Sequence, residues 1–266
     1  LTVVAHRVGW ACLLLWAIVF FRRLKVPLTG RVLIGFLGMG LLNNTVPFTL
    51  QAWGQLHIES GLTAILNAGT AVWGVLCASL FLADEKLTLP RVIGVTLGFL
   101  GVATAIGLSN LASLDLRSLG QLAVVASTIS YAFAGVWARY MLVGLNPLVQ
   151  AAGMLTASTL MMVPLAWGLE GPLTFTMSAQ TWGALGYLTV VATAGAYIFY
   201  YRVLGMAGAG NLMLCTLLIA PIAIILGAIA FGEALPARAF WGFGILAVGL
   251  VILSGRLPLP PLARRR

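Results

Sequence analysis

The side chains of this sequence that could do chemistry are amides, hydroxyls and aromatic rings set inside apolar runs, and they recur at helical spacing. Asn44, Phe48, Gln51 and Gln55 stand at intervals 0, 4, 7 and 11, which places them on one face of a helix. Thr193, Tyr197 and Tyr200 repeat the 0, 4, 7 pattern further along. Another apolar run carries Ser127, Ser130, Tyr131 and Trp137, and two more carry Asn67, Thr70, Trp73, Asn211 and Thr216. Such faces bind a neutral, zwitterionic or amphipathic solute through hydrogen bonds and stacking, and they offer no fixed charge to a strongly anionic one. The expected solute pathway is therefore Asn44, Phe48, Gln51, Asn67, Trp73, Ser130, Tyr131, Thr193, Tyr197, Tyr200 and Asn211. The same residue types also tie membrane helices together and form interfacial belts, so packing competes with binding at each position.

Ionisable groups point elsewhere. The acids Glu59, Asp84, Glu85, Asp115, Glu170 and Glu233 all fall at the ends of apolar runs or in loops, so no carboxylate relay is written within a span. Arg7 and His6 come nearest to being buried, but they sit near one end of the first span, where they can snorkel. An enzyme acting on lipid is the alternative reading, and it needs clustered His, Asp, Glu or Cys near a membrane face. Two histidines and six scattered acids give no such cluster. A channel is a third possibility. Cys12, Cys77 and Cys215 are odd in number and lie in apolar runs, so neither a disulfide framework nor a zinc pattern is present. No catalytic residue, metal site or cofactor is expected.

The elements that position these side chains must be membrane helices. Of 266 residues, 61% are hydrophobic and 8% charged, and the mean hydropathy is +1.05; soluble domains carry about 25% charged residues. Nine spans can be read, at about 4–21, 32–53, 60–83, 90–108, 118–141, 147–169, 180–202, 208–231 and 237–255. Strands are excluded, because about ten alternating residues would then suffice. The net charge of +9 is distributed over short loops, which argues for topology and against a nucleic-acid partner. Placing Arg22, Arg23, Lys25 and Arg31 in the cytoplasm brings all but Arg7, Arg117 and Arg238 of the fifteen basic residues to that side. The C-terminus, with Arg264, Arg265 and Arg266 able to touch anionic membrane lipid, is then cytoplasmic.

The chain also repeats itself. Adding 148 carries Gly35 and Gly38 to Gly183 and Gly186, Glu85 to Glu233, Leu87 to Leu235, and Gly94 and Gly101 to Gly242 and Gly249. One repeat spans five crossings, an odd number, so its copy must enter the membrane inverted. The expected organisation is a first repeat over 1–108, a loop at 109–117, a second repeat over 118–255 and a basic tail at 256–266. Glu85 and Glu233 each stand just before a new helix, where a carboxylate meets free backbone N–H groups and the positive end of the helix dipole. Proton coupling is the competing role for them.

Two stretches carry a family resemblance. "ESGLTAILNAGTAVWGVLCASLFLADEKLTLPRVIGVTLGFLGVATA" and "LGMAGAGNLMLCTLLIAPIAIILGAIAFGEALPARAFWGFGILAVGLVIL" resemble the two copies of the EamA repeat of the drug/metabolite transporter superfamily. The resemblance implies an all-α fold of ten helices in two inverted sets of five, both termini cytoplasmic, and transport of small organic solutes, commonly export of amino acids or related metabolites. Here nine helices are expected. Subtracting 148 from the fifth span reaches positions before Leu1, so an opening helix and a groove beside the third and fourth spans where it would pack are anticipated. A second departure sets Trp73 where the later copy has Pro221, which bears on how that helix bends. Oligomeric state is not specified by any of these features.

Overall fold

A computed structural model describes residues 1–115, 118–231 and 236–253. Helix is the only repeating structure among them, as a backbone with no water to bond must have. The helices are α1 (Thr2–Phe21), α2 (Gly30–Gly40), α3 (Val46–Gly54), α4 (Ser60–Phe81), α5 (Leu89–Ile106), α6 (Leu119–Met141), α7 (Pro147–Glu170), α8 (Ala179–Thr189), α9 (Ala196–Ala207), α10 (Ala209–Leu214), α11 (Thr216–Phe231) and α12 (Ala237–Leu253). A π-helical turn, Leu41–Thr45, joins α2 to α3, and another, Val190–Gly195, joins α8 to α9, so each pair forms one long rod. Among the described residues, eight helical rods are long and apolar enough to cross a membrane, and α12 is a ninth apolar helix of 17 residues.

Local chemistry sets the boundaries. The side chains of Thr29, Asn146 and Ser178 accept from Val32, Leu148 and Thr181 N–H at 3.4, 2.9 and 3.2 Å, capping α2, α7 and α8. Gly208, at φ 86°, ends α9 and lets the chain restart one residue later as α10. The helix carrying Trp73 runs unbroken, whereas its copy breaks between α10 and α11. There Cys215 and Leu218 bond three residues back, the Thr216 hydroxyl takes the Met213 carbonyl at 2.7 Å, and Pro221 cannot donate to Leu217.

The described helices group into two compact units, and each draws on both sequence repeats. One comprises Leu1–Ala52 with Phe133–Gly208; the other comprises Trp53–Ala132 with the chain from Ala209 onward.

In the first unit α1 lies antiparallel on α7. Thr2 N–H donates to Glu170 Oε2 at one end, and Trp16 Nε1 donates to Thr156 Oγ1 at 2.7 Å further along. The rod of α2 crosses the same helix where Gly40 lies so close that a Cβ there would stand 2.7 Å from Ala157 Cβ and 2.8 Å from Ser158 N. Trp137 packs over Gly38 and donates to the Gly35 carbonyl at 3.2 Å, which makes it a helix-packing group. The repeat partners Gly183 and Gly186 have open space around them, and Gly186 borders a cavity of about 270 Å³ with Trp10, Trp182, Leu185 and Thr189.

In the second unit α5 and α12 pack backbone to backbone. A Cβ on Gly94 would lie 2.8 Å from the Gly249 carbonyl oxygen, one on Gly249 would lie 2.7 Å from that of Gly94, and one on Gly101 would lie 2.7 Å from that of Gly242. Position 94 meets 249 and position 101 meets 242, so the helices run antiparallel and the pairing is its own inverse under the 148-residue offset. That exchange is what an inverted repeat requires. Ala68, Ala71, Val102, Leu217 and Leu246 form the apolar centre of this unit.

Glu85 serves a different helix from the one expected. Its carboxylate is 4% exposed and accepts from Ala209 N–H at 2.6 Å and Gly210 N–H at 2.8 Å, the opening donors of α10. Helix α5, which follows it in sequence, starts at Leu89, and its N-cap Thr88 makes no side-chain cap bond. The reason is packing: α10 lies on α4, and a turn after α4, closed by Glu85 N–H on the Leu82 carbonyl at 3.2 Å, brings Glu85 to the free N–H groups of α10. Arg91 Nη1 lies 4.0 Å from the same carboxylate. Glu233, its partner under the repeat, falls outside the described residues, as do Leu235, Arg117 and the basic tail.

Candidate functional site

The two π-helical turns organise the polar centre of the first unit. Each shifts the backbone hydrogen bond to five residues back, seen in Val46 N–H to Leu41 and Ala196 N–H to Val191. Each also holds a threonine whose hydroxyl takes a carbonyl five residues earlier: Thr45 to Gly40 at 3.1 Å and Thr193 to Leu188 at 2.7 Å. The offset of 148 carries Thr45 onto Thr193 and Gly40 onto Leu188, so the same bond is written in both repeats. Turns of this kind cluster at functional positions in helices.

Asn44 sits at the first turn and is fully buried. The Tyr197 hydroxyl donates to Asn44 Oδ1, Asn44 Nδ2 donates to Ser158 Oγ at 2.6 Å, and the Ser158 hydroxyl donates to the Met154 carbonyl at 2.9 Å. The Met154 thioether accepts from Asn43 Nδ2 at 3.5 Å and from the Tyr201 hydroxyl at 3.2 Å. Three rods are thereby joined by one connected polar network, the kind of buried network that fixes a single arrangement when every member is bonded. The rings of Tyr197 and Tyr200 meet edge to face at 6.1 Å, and Tyr200 meets Tyr201 at 5.1 Å. The hydroxyls of Tyr200, Thr49 and Thr189 are buried without a hydrogen-bond partner. Phe48 lies under the guanidinium of Arg7, whose Cζ is 4.7 Å from the ring centre. At the same end His6 Nε2 lies 3.0 Å from the Thr174 carbonyl and its ring meets Phe175 and Trp182.

Of the residues singled out from sequence, Asn44, Phe48, Gln51, Thr193, Tyr197 and Tyr200 all lie in this unit. The simple one-face spacing does not survive. It assumes a uniform 100° per residue, and the π-turn at Asn44 interrupts that rotation, turning the amide onto Ser158 while Phe48 turns to Arg7. Gln55 lies beyond the end of α3. Thr193 spends its hydroxyl on its own backbone. Asn67, Trp73, Ser130, Tyr131 and Asn211 belong to the other unit, where Ser130 is buried, Asn67 and Tyr131 are half-buried, and Trp73 and Asn211 are exposed. Sequence reasoning missed Ser158 and Met154, which carry no spacing signal, and set Arg7 aside as a snorkelling cation. The coincidence of Thr45 and Thr193 under the repeat offset was the one available pointer to the π-turns.

Apolar rods long enough to cross a membrane, two of whose helices pair glycine to glycine across the repeats, define a multi-pass membrane protein. The EamA-like transporter family matches residues 1–107 and 118–255, and the chain belongs to that family. Among curated relatives it is 22% identical to an uncharacterized transporter of Archaeoglobus fulgidus, over 81% of this chain and 75% of that one. It is 23% identical to Protein PagO of Salmonella typhimurium, over 83% and 72% respectively. A probable terminal-alkyne amino-acid exporter of Streptantibioticus cattleyicolor is 24% identical over 82% of this chain and 70% of its own. A solved crystal structure superposes with a TM-score of 0.79 at 16% identity, covering 96% of this chain and 87% of that chain, which fixes the fold alone.

Proposed function

We propose that this transporter exports small amino-acid-like or amphipathic metabolites across a bacterial-type inner membrane, with its C-terminus in the cytoplasm. The observation that carries the reading is the Tyr197–Asn44–Ser158 network at the repeated π-turns; beside Tyr197 lies Tyr200, whose hydroxyl, like that of Thr49 in the same unit, is unbonded. Those hydroxyls give a zwitterionic or neutral solute hydrogen-bonding partners, and the aromatic rings give its side chain an apolar surface. The Streptantibioticus relative, a probable terminal-alkyne amino-acid exporter, supports an amino-acid-like cargo. Inverted repeats support alternating access as the mechanism, and the loop charge bias supports the orientation. The expected pathway also includes Asn67, Trp73, Ser130, Tyr131 and Asn211.

The test is counterflow in proteoliposomes preloaded with single amino acids, with and without a pH gradient. A carrier transiently accumulates labelled solute above its equilibrium level by exchange with the larger unlabelled internal pool. Simple equilibration without overshoot points to a channel, and failure of every amino acid tried removes the substrate class.

A further inference from the structure

We infer that Arg7 is the receptor for the carboxylate of the transported solute. This deepens the amino-acid-like reading above and rests on it for the identity of the pathway, though not for the chemistry at Arg7.

Arg7 lies in the second turn of α1, within a membrane-crossing rod. It does not reach away from the protein. Its guanidinium covers the ring of Phe48, which lies on a second rod. Its Nε is buried and makes no hydrogen bond, and no Asp or Glu among the described residues lies within 4.0 Å of it. The Asn44 amide is engaged by the Tyr197 hydroxyl and by Ser158.

An unpaired cation inside an apolar bundle is expensive. A lysine in such a place could shed its proton, but a guanidinium stays charged at any physiological pH, so the charge must be met by something else. The ring of Phe48 stabilises one face by cation–π attraction and leaves the donor-bearing edge for a planar anion, the geometry in which guanidinium binds carboxylate. Arg7 is half-buried, not sealed, so a solute can reach it. One positive charge matches one carboxylate; a dianionic group calls for more than a single cation. The unbonded oxygen of Tyr200, whose ring meets that of Tyr197, provides an acceptor for an ammonium on the same solute. The sequence-based expectation that the pathway holds no fixed charge is thus replaced by a single fixed cation.

The experiment uses the full chain in detergent, titrated with matched trios of compounds: an amino acid, its amide, and the carboxylic acid lacking the amino group. L-norvaline, L-norvalinamide and pentanoate form the first trio, and the aromatic series from L-phenylalanine the second. Binding is read from intrinsic tryptophan fluorescence. Expected are at least tenfold tighter binding of carboxylate-bearing members than of amides, and a loss of roughly 30-fold or more for those members in Arg7→Gln with the amides unchanged. Arg7→Lys should retain part of the preference, and Phe48→Leu, which removes the ring under the cation, should weaken the acids about threefold or more. Should Arg7→Gln not fold, these two variants decide. Equal binding of acids and amides by the wild type overturns the inference and leaves amino-acid export standing. Arg7-dependent binding of pentanoate or 3-phenylpropionate without the amino acids upholds the inference and removes the export reading. No binding of any carboxylate, or an equal loss across all three classes in Arg7→Gln, overturns it.

Discussion

Replacing Glu85 separates a structural anchor from a proton-coupling group. The carboxylate is 4% exposed and makes two short bonds to the first donors of α10. Each charge-assisted bond contributes about 1.5–3 kcal/mol, and Glu85→Ala leaves both N–H groups without an acceptor, so a loss of roughly 3–5 kcal/mol is expected. The Arg91 contact at 4.0 Å is loose and adds little. Glu85→Gln keeps one carbonyl oxygen but turns an NH₂ toward the second donor, which forfeits about half of that stabilisation. At about 2–4 °C per kcal/mol, apparent melting should fall by roughly 10 °C for alanine and roughly 5 °C for glutamine. The assay is heating in detergent followed by size-exclusion chromatography, paired with uptake at several imposed pH gradients. Folded yield should fall while the pH dependence of the remaining transport stays as in the wild type. A Glu85→Gln protein that melts like the wild type yet loses proton-driven uptake would refute the anchor argument and install coupling in its place.

Tyr197→Phe deprives Asn44 Oδ1 of its donor; it should cost about 1–3 kcal/mol and impair transport with membrane expression intact. Gln51→Ala tests the rest of the same rod, and wild-type kinetics in both variants would remove these residues from the pathway. Thr45→Val and Thr193→Val keep the shape while deleting the π-turn hydroxyls; turnover in counterflow should change in both, and an effect in neither denies the turns a role in transport. Gly101→Ala places a methyl 2.6 Å from Leu246 N, so the α5–α12 contact must open and folded yield should drop severalfold; an unchanged yield contradicts that packing.

Much of the scaffold was legible because membrane helices announce themselves by length and apolarity, and because Gly94, Gly101, Gly242 and Gly249 fall on one offset. The sequence could not say that these four glycines meet one another; that follows only once α5 and α12 are laid antiparallel. Glu85 was readable as a helix-end carboxylate, but the recipient helix was not, since α10 is distant in sequence and is brought in by packing on α4. Asn44 and Tyr197 stood out as polar residues in apolar rods, yet their partner Ser158 is one hydroxyl in a run already containing Thr156 and Thr159. The position of Arg7 along the span is compatible with snorkelling, and only the ring of Phe48 shows which way its guanidinium turns.

The paired π-turns have a consequence for insertions and deletions. Such a turn is one residue longer than the α-helical turn it replaces, so it acts as a tolerated one-residue insertion, and everything beyond it is rotated by about 100° relative to an uninterrupted helix. Deleting Leu41 or Leu42 would let the rod relax to ordinary helix with Phe48 still near its present phase, whereas straightening the turn at constant chain length would swing Phe48 by about 100° out from under Arg7. The phase of α3 is therefore stored in the turn before it, and a substitution scan confined to the polar face would never detect it.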